Sequence, residues 1–141
     1  MFKQNKMLQP GFNFIEMMVA LVIIGIIVGM VGPRVMSLLG RGKKTATQNT
    51  LKVVATGLAQ YKMDVGTYPD SLDDLIKKPE NASNWQGPYV GDETKGSAEI
   101  PTDAWGQTIK YKKNDRGVTP PFDLYSEGDP EKEEDRISYA K

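Results

Sequence analysis

Carboxylates are the side chains on which any chemistry of this chain would depend. The 141 residues include 18 acidic residues, but no cysteine and no histidine. This composition excludes disulfides, thiol nucleophiles, Cys/His zinc sites and every mechanism that needs an imidazole. No pair of acids has a spacing that argues for acid–base work, so the sequence predicts that the protein is not an enzyme. The 18 basic residues bring the net charge to zero, which gives no indication of a nucleic-acid partner.

Two clusters of acidic residues are candidate metal-binding sites. Asp70, Asp73 and Asp74 lie at the start of a short helix that is expected to end before Pro79. Acids in a first helical turn favour the helix dipole and can cap free backbone N–H groups, which explains this cluster better than a metal does. The second cluster, 129–136, has no EF-hand spacing, and it is either a solvated acidic loop or a loop whose oxygens bind calcium.

Glu16 is the acid in the least expected place. It stands directly before Met17–Val31, a run without a charged residue, and the stretch from Phe12 to Pro33 is long enough to span a bilayer. A carboxylate beside hydrocarbon is costly and is a functional candidate by default. The alternative is a helix-end carboxylate that reaches the lipid headgroups.

The elements that position these acids follow from the apolar pattern. After Pro33 a stripe of apolar residues at helical spacing continues the helix to about Asp64–Gly66, where glycine gives a stop signal. The stripe consists of Leu51, Val54, Leu58 and Tyr61. At 1.5 Å per residue such a helix is roughly 80 Å long.

The remainder of the chain predicts a small antiparallel sheet. Residues 107–112 alternate polar and apolar, 114–117 form a turn, and 122–126 return as a second strand. The predicted fold class is therefore α+β, a long N-terminal helix packed on a small antiparallel sheet in the shape of a lollipop. Glycines at 40 and 42 make the helix least secure at 38–44, and Gly32-Pro33 would lose a helical hydrogen bond, so we predict a helix break there.

The N-terminal motif resembles that of type IV prepilins and type II secretion pseudopilins. Gly11-Phe12, with Glu16 five residues after the glycine and an unbroken apolar run behind it, carries the resemblance. It implies that a membrane-embedded prepilin peptidase cuts after Gly11 on the cytoplasmic side and that the new N-terminal Phe12 is methylated. It also supports the break at Gly32 and Pro33. Glu16 of one subunit would then pair with the Phe12 amine of its neighbour and set the register of assembly.

Landmarks along the rest of the chain resemble the major pseudopilins of type II secretion. They are Tyr68-Pro69, the stretches 85–89 and 103–106, Tyr111 and the stretch 122–129. The resemblance implies a calcium ion in the C-terminal loop, with Asp129 and Asp135 as side-chain ligands and Glu134 as a rival. Backbone oxygens of Leu124 and Ser126 would contribute. The loop departs from the family pattern, because Pro130 and the run 132–134 stand where glycines are usual.

The expected organisation has four parts. Residues 1–11 are a leader peptide, 12–35 the transmembrane and assembly helix, 36–65 its amphipathic half, and 66–141 a periplasmic region of loops, helix and sheet. The resemblance implies a structural subunit of a helical homo-oligomeric filament in the bacterial inner membrane, a single-pass protein with its C-terminal domain in the periplasm. Its partners would be minor pseudopilins, the prepilin peptidase, and the inner-membrane secretion platform with its ATPase.

Three alternatives stay open at this point. The chain could be a type IV pilin, a competence pseudopilin, or a signal-anchored periplasmic binding or sensor domain whose N-terminus is never processed. Counting flanking positive charges does not settle the topology, because Lys3 and Lys6 lie on one side and Arg34 and Arg41 are among those on the other.

Overall fold

A computed structural model describes residues 11–91, 98–132 and 135–140. Helix α1 runs over Phe14–Val65, and a single 3₁₀ turn follows at Leu72–Leu75. Three strands complete the fold: β1 at Lys110–Lys113, β2 at Phe122–Ser126 and β3 at Ile137–Ser138. They form an antiparallel sheet in the order β1-β2-β3. The chain divides into two compact units, one up to Leu39 and one from Gly40 onward.

The core of the second unit is built on the predicted apolar stripe of α1. Leu51, Val54 and Leu58 are completely buried, and Tyr61 is 4% exposed. These residues form one cluster with core residues of the sheet and of the loops, namely Leu75, Val90, Ile109, Phe122, Leu124 and Ile137. Burying one such side chain contributes about 1.5–3 kcal/mol, so this cluster fixes the helix against the sheet. The predicted fold class is confirmed.

The first unit consists of the N-terminal part of α1, and its large apolar side chains are exposed. Phe14, Leu21 and Val28, spaced two turns apart, are 78%, 66% and 62% exposed. The helix passes through Gly32 and Pro33 without interruption, so the break predicted there is not present in this structure. A proline removes one helical hydrogen bond and clashes with the preceding turn, at a cost of about 3 kcal/mol, but melting a turn would lose several hydrogen bonds of a cooperative helix. Residues 38–44 are helical as well, despite Gly40 and Gly42.

The acidic cluster after Pro69 caps a turn, as predicted. The Asp74 carboxylate accepts hydrogen bonds from the backbone N–H groups of Asp70 and Ser71, each at 3.1 Å. The short helix that was expected before Pro79 is a single 3₁₀ turn. The indole N–H of Trp85 donates to the Asp74 carbonyl at 2.8 Å, which ties the following loop to this turn.

The predicted hairpin is present with a shifted first strand. Residues 110–113 pair with 122–125, and Tyr111 lies opposite Leu124. The second strand has the predicted bounds, whereas the first begins three residues later than the alternating pattern suggested. Strand β3 was not predicted, and its pairing of Ile137 with Ser126 closes the loop that contains the C-terminal acids.

Candidate functional site

The predicted cleavage point lies at the exposed start of α1. Gly11 and Phe12 precede the helix and have no regular structure, and Phe12 is 81% exposed. The carbonyl of Asn13 accepts the N–H groups of Glu16 at 3.0 Å and Met17 at 3.2 Å, which begins the helical hydrogen-bonding pattern. The Gly11–Phe12 peptide bond therefore lies in irregular chain before the helix.

Glu16 is exposed in the first turn of α1. Within the described residues no ion pair involves its carboxylate. An acid is favourable near the positive end of a helix dipole, but at this position it also faces the apolar surface that follows. The side chain is thus available to a cation from outside the chain.

Helix α1 is long and apolar enough to cross a membrane. The part of the chain that the structure describes contains one helix that meets this criterion, and its most apolar stretch is wholly unburied. The large apolar residues from Phe14 to Leu39 are each at least 45% exposed. A soluble monomer rarely exposes so much contiguous apolar surface, so this surface faces lipid or other proteins.

The C-terminal acids lie in the loop between β2 and β3. The Asp129 carboxylate accepts the N–H of Glu131 at 3.1 Å and lies 3.5 Å from the ammonium of Lys132. Gly128 has φ of +79°, and a Cβ atom there would collide with the backbone carbonyl of Asp135. The two ends of the loop are therefore in direct contact, which brings Asp129 near Asp135.

Asp135 makes the one long-range ion pair of this loop among the described residues. Its Oδ1 accepts from the ammonium of Lys44 on α1, and its side chain is only 12% exposed. The Lys44 hydrogen bond holds the pKa of the Asp135 carboxyl below its usual value, and the Lys44 charge and the Asp129 N–H act in the same direction. Oδ2 is buried and has no hydrogen-bond partner among the described residues.

A buried polar network supports the same loop from the other side. The Ser126 hydroxyl donates to Asp103 Oδ2 at 2.5 Å and accepts the Gly128 N–H at 2.9 Å. Asp103 Oδ1 accepts the N–H groups of Trp105 at 2.9 Å and Gln107 at 2.8 Å. Asp103 is 5% exposed and Ser126 is completely buried, so a buried acid sets the conformation of the chain that enters the loop.

Two family models match this chain. The model for type II secretion system protein G matches residues 34–140, and that for the prokaryotic N-terminal methylation motif matches residues 6–32. The chain belongs to the type II secretion system protein G family. This membership decides against the pilin, competence and sensor-domain alternatives, and it agrees with the resemblance found in the sequence.

Two relatives and one solved structure show the extent of the family likeness. The chain is 37% identical over 127 residues to type II secretion system core protein G of Pseudomonas aeruginosa, covering 85% of this chain and 83% of that one. It is 33% identical over 120 residues to the corresponding protein of Xanthomonas campestris, covering 85% and 78%. The major pseudopilin from the type 2 secretion system of enterohaemorrhagic Escherichia coli has the same fold, with a TM-score of 0.56 at 21% identity over 73% of this chain and 90% of that one.

The predicted calcium ligands of this family member differ in their surroundings. Asp129 and Asp135 lie in one loop, the Leu124 carbonyl accepts the Tyr139 N–H at 2.9 Å, and the Ser126 hydroxyl is directed to Asp103. Glu134 lies outside the described residues. Among the residues described, no three acidic side chains are grouped as metal ligands.

Sequence reasoning missed Lys44 and the role of Asp103. In the sequence Lys44 is one of several basic residues after the apolar run, whereas in the structure it meets Asp135 across 91 residues of sequence. Asp103 was noted as part of the stretch 103–106, but no local pattern distinguishes a buried acid from an exposed one. In both cases the partner is supplied by tertiary structure.

Proposed function

We propose that this chain, a structural subunit of a type II secretion system, is cut between Gly11 and Phe12 and then polymerises through its N-terminal helix into a periplasmic pseudopilus. The observation that carries the proposal is the exposed Gly11–Phe12 bond, which lies just before the exposed apolar stretch at the start of α1. The match to the N-terminal methylation motif over residues 6–32 supports it. Cleavage would leave Phe12 as the new N-terminus, with its amine methylated.

Glu16 supplies the register in this proposal. Its carboxylate lies one helical turn after Phe12, at the mouth of an apolar surface that would be buried on assembly. A buried carboxylate is tolerated when it is paired, and removing one partner of a buried pair costs about 3–5 kcal/mol. The cation would be the Phe12 amine of a neighbouring subunit, which exists only after cleavage. Assembly thus depends on prior processing.

The proposed partners and location follow from this assembly. The first half of α1 would lie in the inner membrane and then in the filament, packing on equivalent helices through residues such as Phe14, Leu21 and Val28. The unit from Gly40 onward would lie in the periplasm. The prepilin peptidase, minor pseudopilins and the inner-membrane platform with its ATPase would act on or with the chain.

The intact mass of the membrane-extracted protein tests processing. We expect a chain that begins at Phe12 and carries one added methyl group. Replacing Gly11 by valine should leave residues 1–11 attached, because the peptidase in this proposal requires the glycine. An unprocessed wild-type chain in cells that have the peptidase would contradict the proposal.

Glu16→Gln tests the register without changing side-chain size. We expect normal processing and membrane insertion, but at least a roughly tenfold loss of subunits in sheared pseudopili, since one charge of a buried pair is removed. Asp115→Asn makes the same chemical change in an exposed turn and should leave assembly unchanged. Normal pseudopili with Glu16→Gln would show that register comes from elsewhere.

We further propose that the loop between β2 and β3 binds one calcium ion. Asp129 and Asp135 would hold it with carboxylate oxygens, and backbone oxygens of Leu124 and Ser126 would contribute. The fit rests on two observations: contact of Gly128 with Asp135 closes the loop, and Asp135 Oδ2 is buried without a partner among the described residues. A bound calcium ion would neutralise the two carboxylates and join the two sides of the loop.

Melting of the full chain in detergent tests the calcium proposal. Trp85 and Trp105 both lie in the second unit, so their fluorescence reports its unfolding. Calcium at about 100 times its Kd should stabilise the unit by about 2.7 kcal/mol relative to a chelator, a rise of several degrees in Tm. Asp129→Asn should abolish this rise. An identical Tm in calcium and chelator would contradict calcium binding.

A further inference from the structure

Lys44 reaches from α1 to the loop proposed to bind calcium. Its ammonium donates to Asp135 Oδ1, and the two side chains are 46% and 12% exposed. The pair joins residues 91 positions apart, so it attaches the loop to α1 and is not a contact within the loop. A pair with one largely buried member is screened less by water and salt than a fully exposed pair.

The other cations near this loop have different roles. Lys132 lies 3.5 Å from Asp129, but it is a neighbour in sequence and its side chain is 63% exposed. The Arg136 guanidinium lies over the Tyr125 ring, 3.6 Å from its centroid. Lys44 is therefore the cation that holds the buried end of the loop, within the described part of the chain.

We propose that Lys44 acts as a built-in cation for this loop and competes with calcium for Asp135. Without calcium, its ammonium neutralises Asp135 and keeps the loop against α1. With calcium, the same ammonium is a like charge beside the ion, so the loop binds calcium more weakly than a loop without Lys44 would. This inference rests on the calcium proposal above and identifies the residue that sets the affinity.

The distance between the Lys44 ammonium and the calcium ion determines how much Lys44 weakens calcium binding. Two unit charges about 4 Å apart interact strongly at the effective dielectric of a protein surface. A half-exposed lysine can swing into water when the ion arrives, which removes most of that repulsion. We therefore expect Lys44 to weaken calcium binding roughly tenfold rather than a thousandfold.

The test compares wild type, Lys44→Met, Lys44→Arg and Lys52→Met as full chains in detergent. Calcium affinity is measured by competition with a chromophoric chelator, and Tm by tryptophan fluorescence. Lys44→Met should bind calcium roughly tenfold more tightly and melt below wild type in chelator. Lys44→Arg keeps the charge and should keep the weak affinity and the Tm. Lys52→Met removes an equal charge two turns along the same helix and should match wild type in both measurements.

The outcomes separate the two proposals. Tighter calcium binding by Lys44→Met alone supports the competition. Equal calcium affinity in all four proteins overturns the competition and leaves the calcium proposal intact. Absence of calcium binding in all four overturns both. If Lys44→Met does not fold in chelator, a Lys44→Arg protein that binds calcium tenfold more tightly than wild type would overturn the charge argument.

Discussion

At the scale of single residues, Asp103 is the acid on which the C-terminal loop depends most. It accepts the Ser126 hydroxyl and the N–H groups of Trp105 and Gln107, all in a site that is almost closed to water. Asp103→Ala leaves these donors without an acceptor, and each unsatisfied buried donor costs about 1–3 kcal/mol. We expect a loss of about 3 kcal/mol or more in the free energy of unfolding, measured by urea titration of tryptophan fluorescence.

Asp115→Ala is the matched control for that change. Asp115 is exposed, and its side chain makes none of the hydrogen bonds found among the described residues. Its replacement should alter the free energy of unfolding by less than about 0.5 kcal/mol. A loss of the same size in both variants would mean that the Asp103 network is not a specific support.

Asp135 makes stability depend on acid pH. Its pKa is lowered in the folded state, chiefly by the hydrogen bond from Lys44, so the native state binds fewer protons than the unfolded state. The contribution is complete above the unfolded pKa of about 3.9 and is lost as pH falls through the lower folded pKa. In chelator, the Tm difference between wild type and Lys44→Met should be constant between pH 6 and pH 5 and should shrink as the pH falls below about 4. A difference that does not change with pH would contradict the ion pair.

At the scale of elements, α1 contains two glycines that should respond oppositely to the same substitution. A Cβ at Gly57 would come within 2.9 Å of the Tyr89 carbonyl and 2.6 Å of a Val90 methyl. At Gly42 a Cβ would meet no atom within 4 Å. Alanine in an open helical position stabilises by up to about 1 kcal/mol, whereas a backbone clash must be relieved by moving the loop.

We therefore expect Gly57→Ala to lower the Tm of the second unit and Gly42→Ala to raise it or leave it unchanged. Helix propensity alone would predict the same gain at both positions. Equal shifts in thermal melts of the two variants would show that the loop at 89–90 moves freely away from the helix.

An element could be predicted from the sequence when the pattern that specifies it lies within the element itself. The stripe at Leu51, Leu58 and Tyr61 is a periodic signal within one element, and it predicted the buried face of α1 correctly. Strand β3 has two residues, too few for any alternation, and it exists because Ile137 pairs with Ser126. A local pattern cannot reveal an element that its partner specifies.

The same distinction between local patterns and long-range contacts applies to the candidate sites. Gly11, Phe12 and Glu16 form a motif of fixed spacing, so the sequence alone is enough to predict them as a processing and assembly site. The Lys44–Asp135 pair depends on how the chain folds, because its members are 91 residues apart. The break at Gly32 and Pro33 was predicted from the local cost of a proline, whereas α1 is continuous there because a helix is cooperative over its whole length.

At the scale of the whole molecule, the two units have opposite surfaces. The first presents apolar side chains outward, which is a defect in a soluble monomer and a requirement in a filament subunit that starts in a membrane. The second contains a buried apolar cluster, whose members all lie between Leu51 and Ile137. Stability and assembly are thus assigned to different parts of the chain.

This division predicts that residues 40–141 fold without the first 39. The fragment contains the whole core cluster, the Lys44–Asp135 pair and the Asp103 network. We expect it to be soluble without detergent, monomeric in sedimentation, and to melt cooperatively within a few degrees of the full chain. A fragment that begins at residue 50 lacks Lys44 and Thr47, whose hydroxyl accepts the Ala104 N–H at 3.1 Å, and should melt lower. If residues 40–141 do not unfold cooperatively, the first part of α1 must stabilise the second unit, and the two roles are not separate.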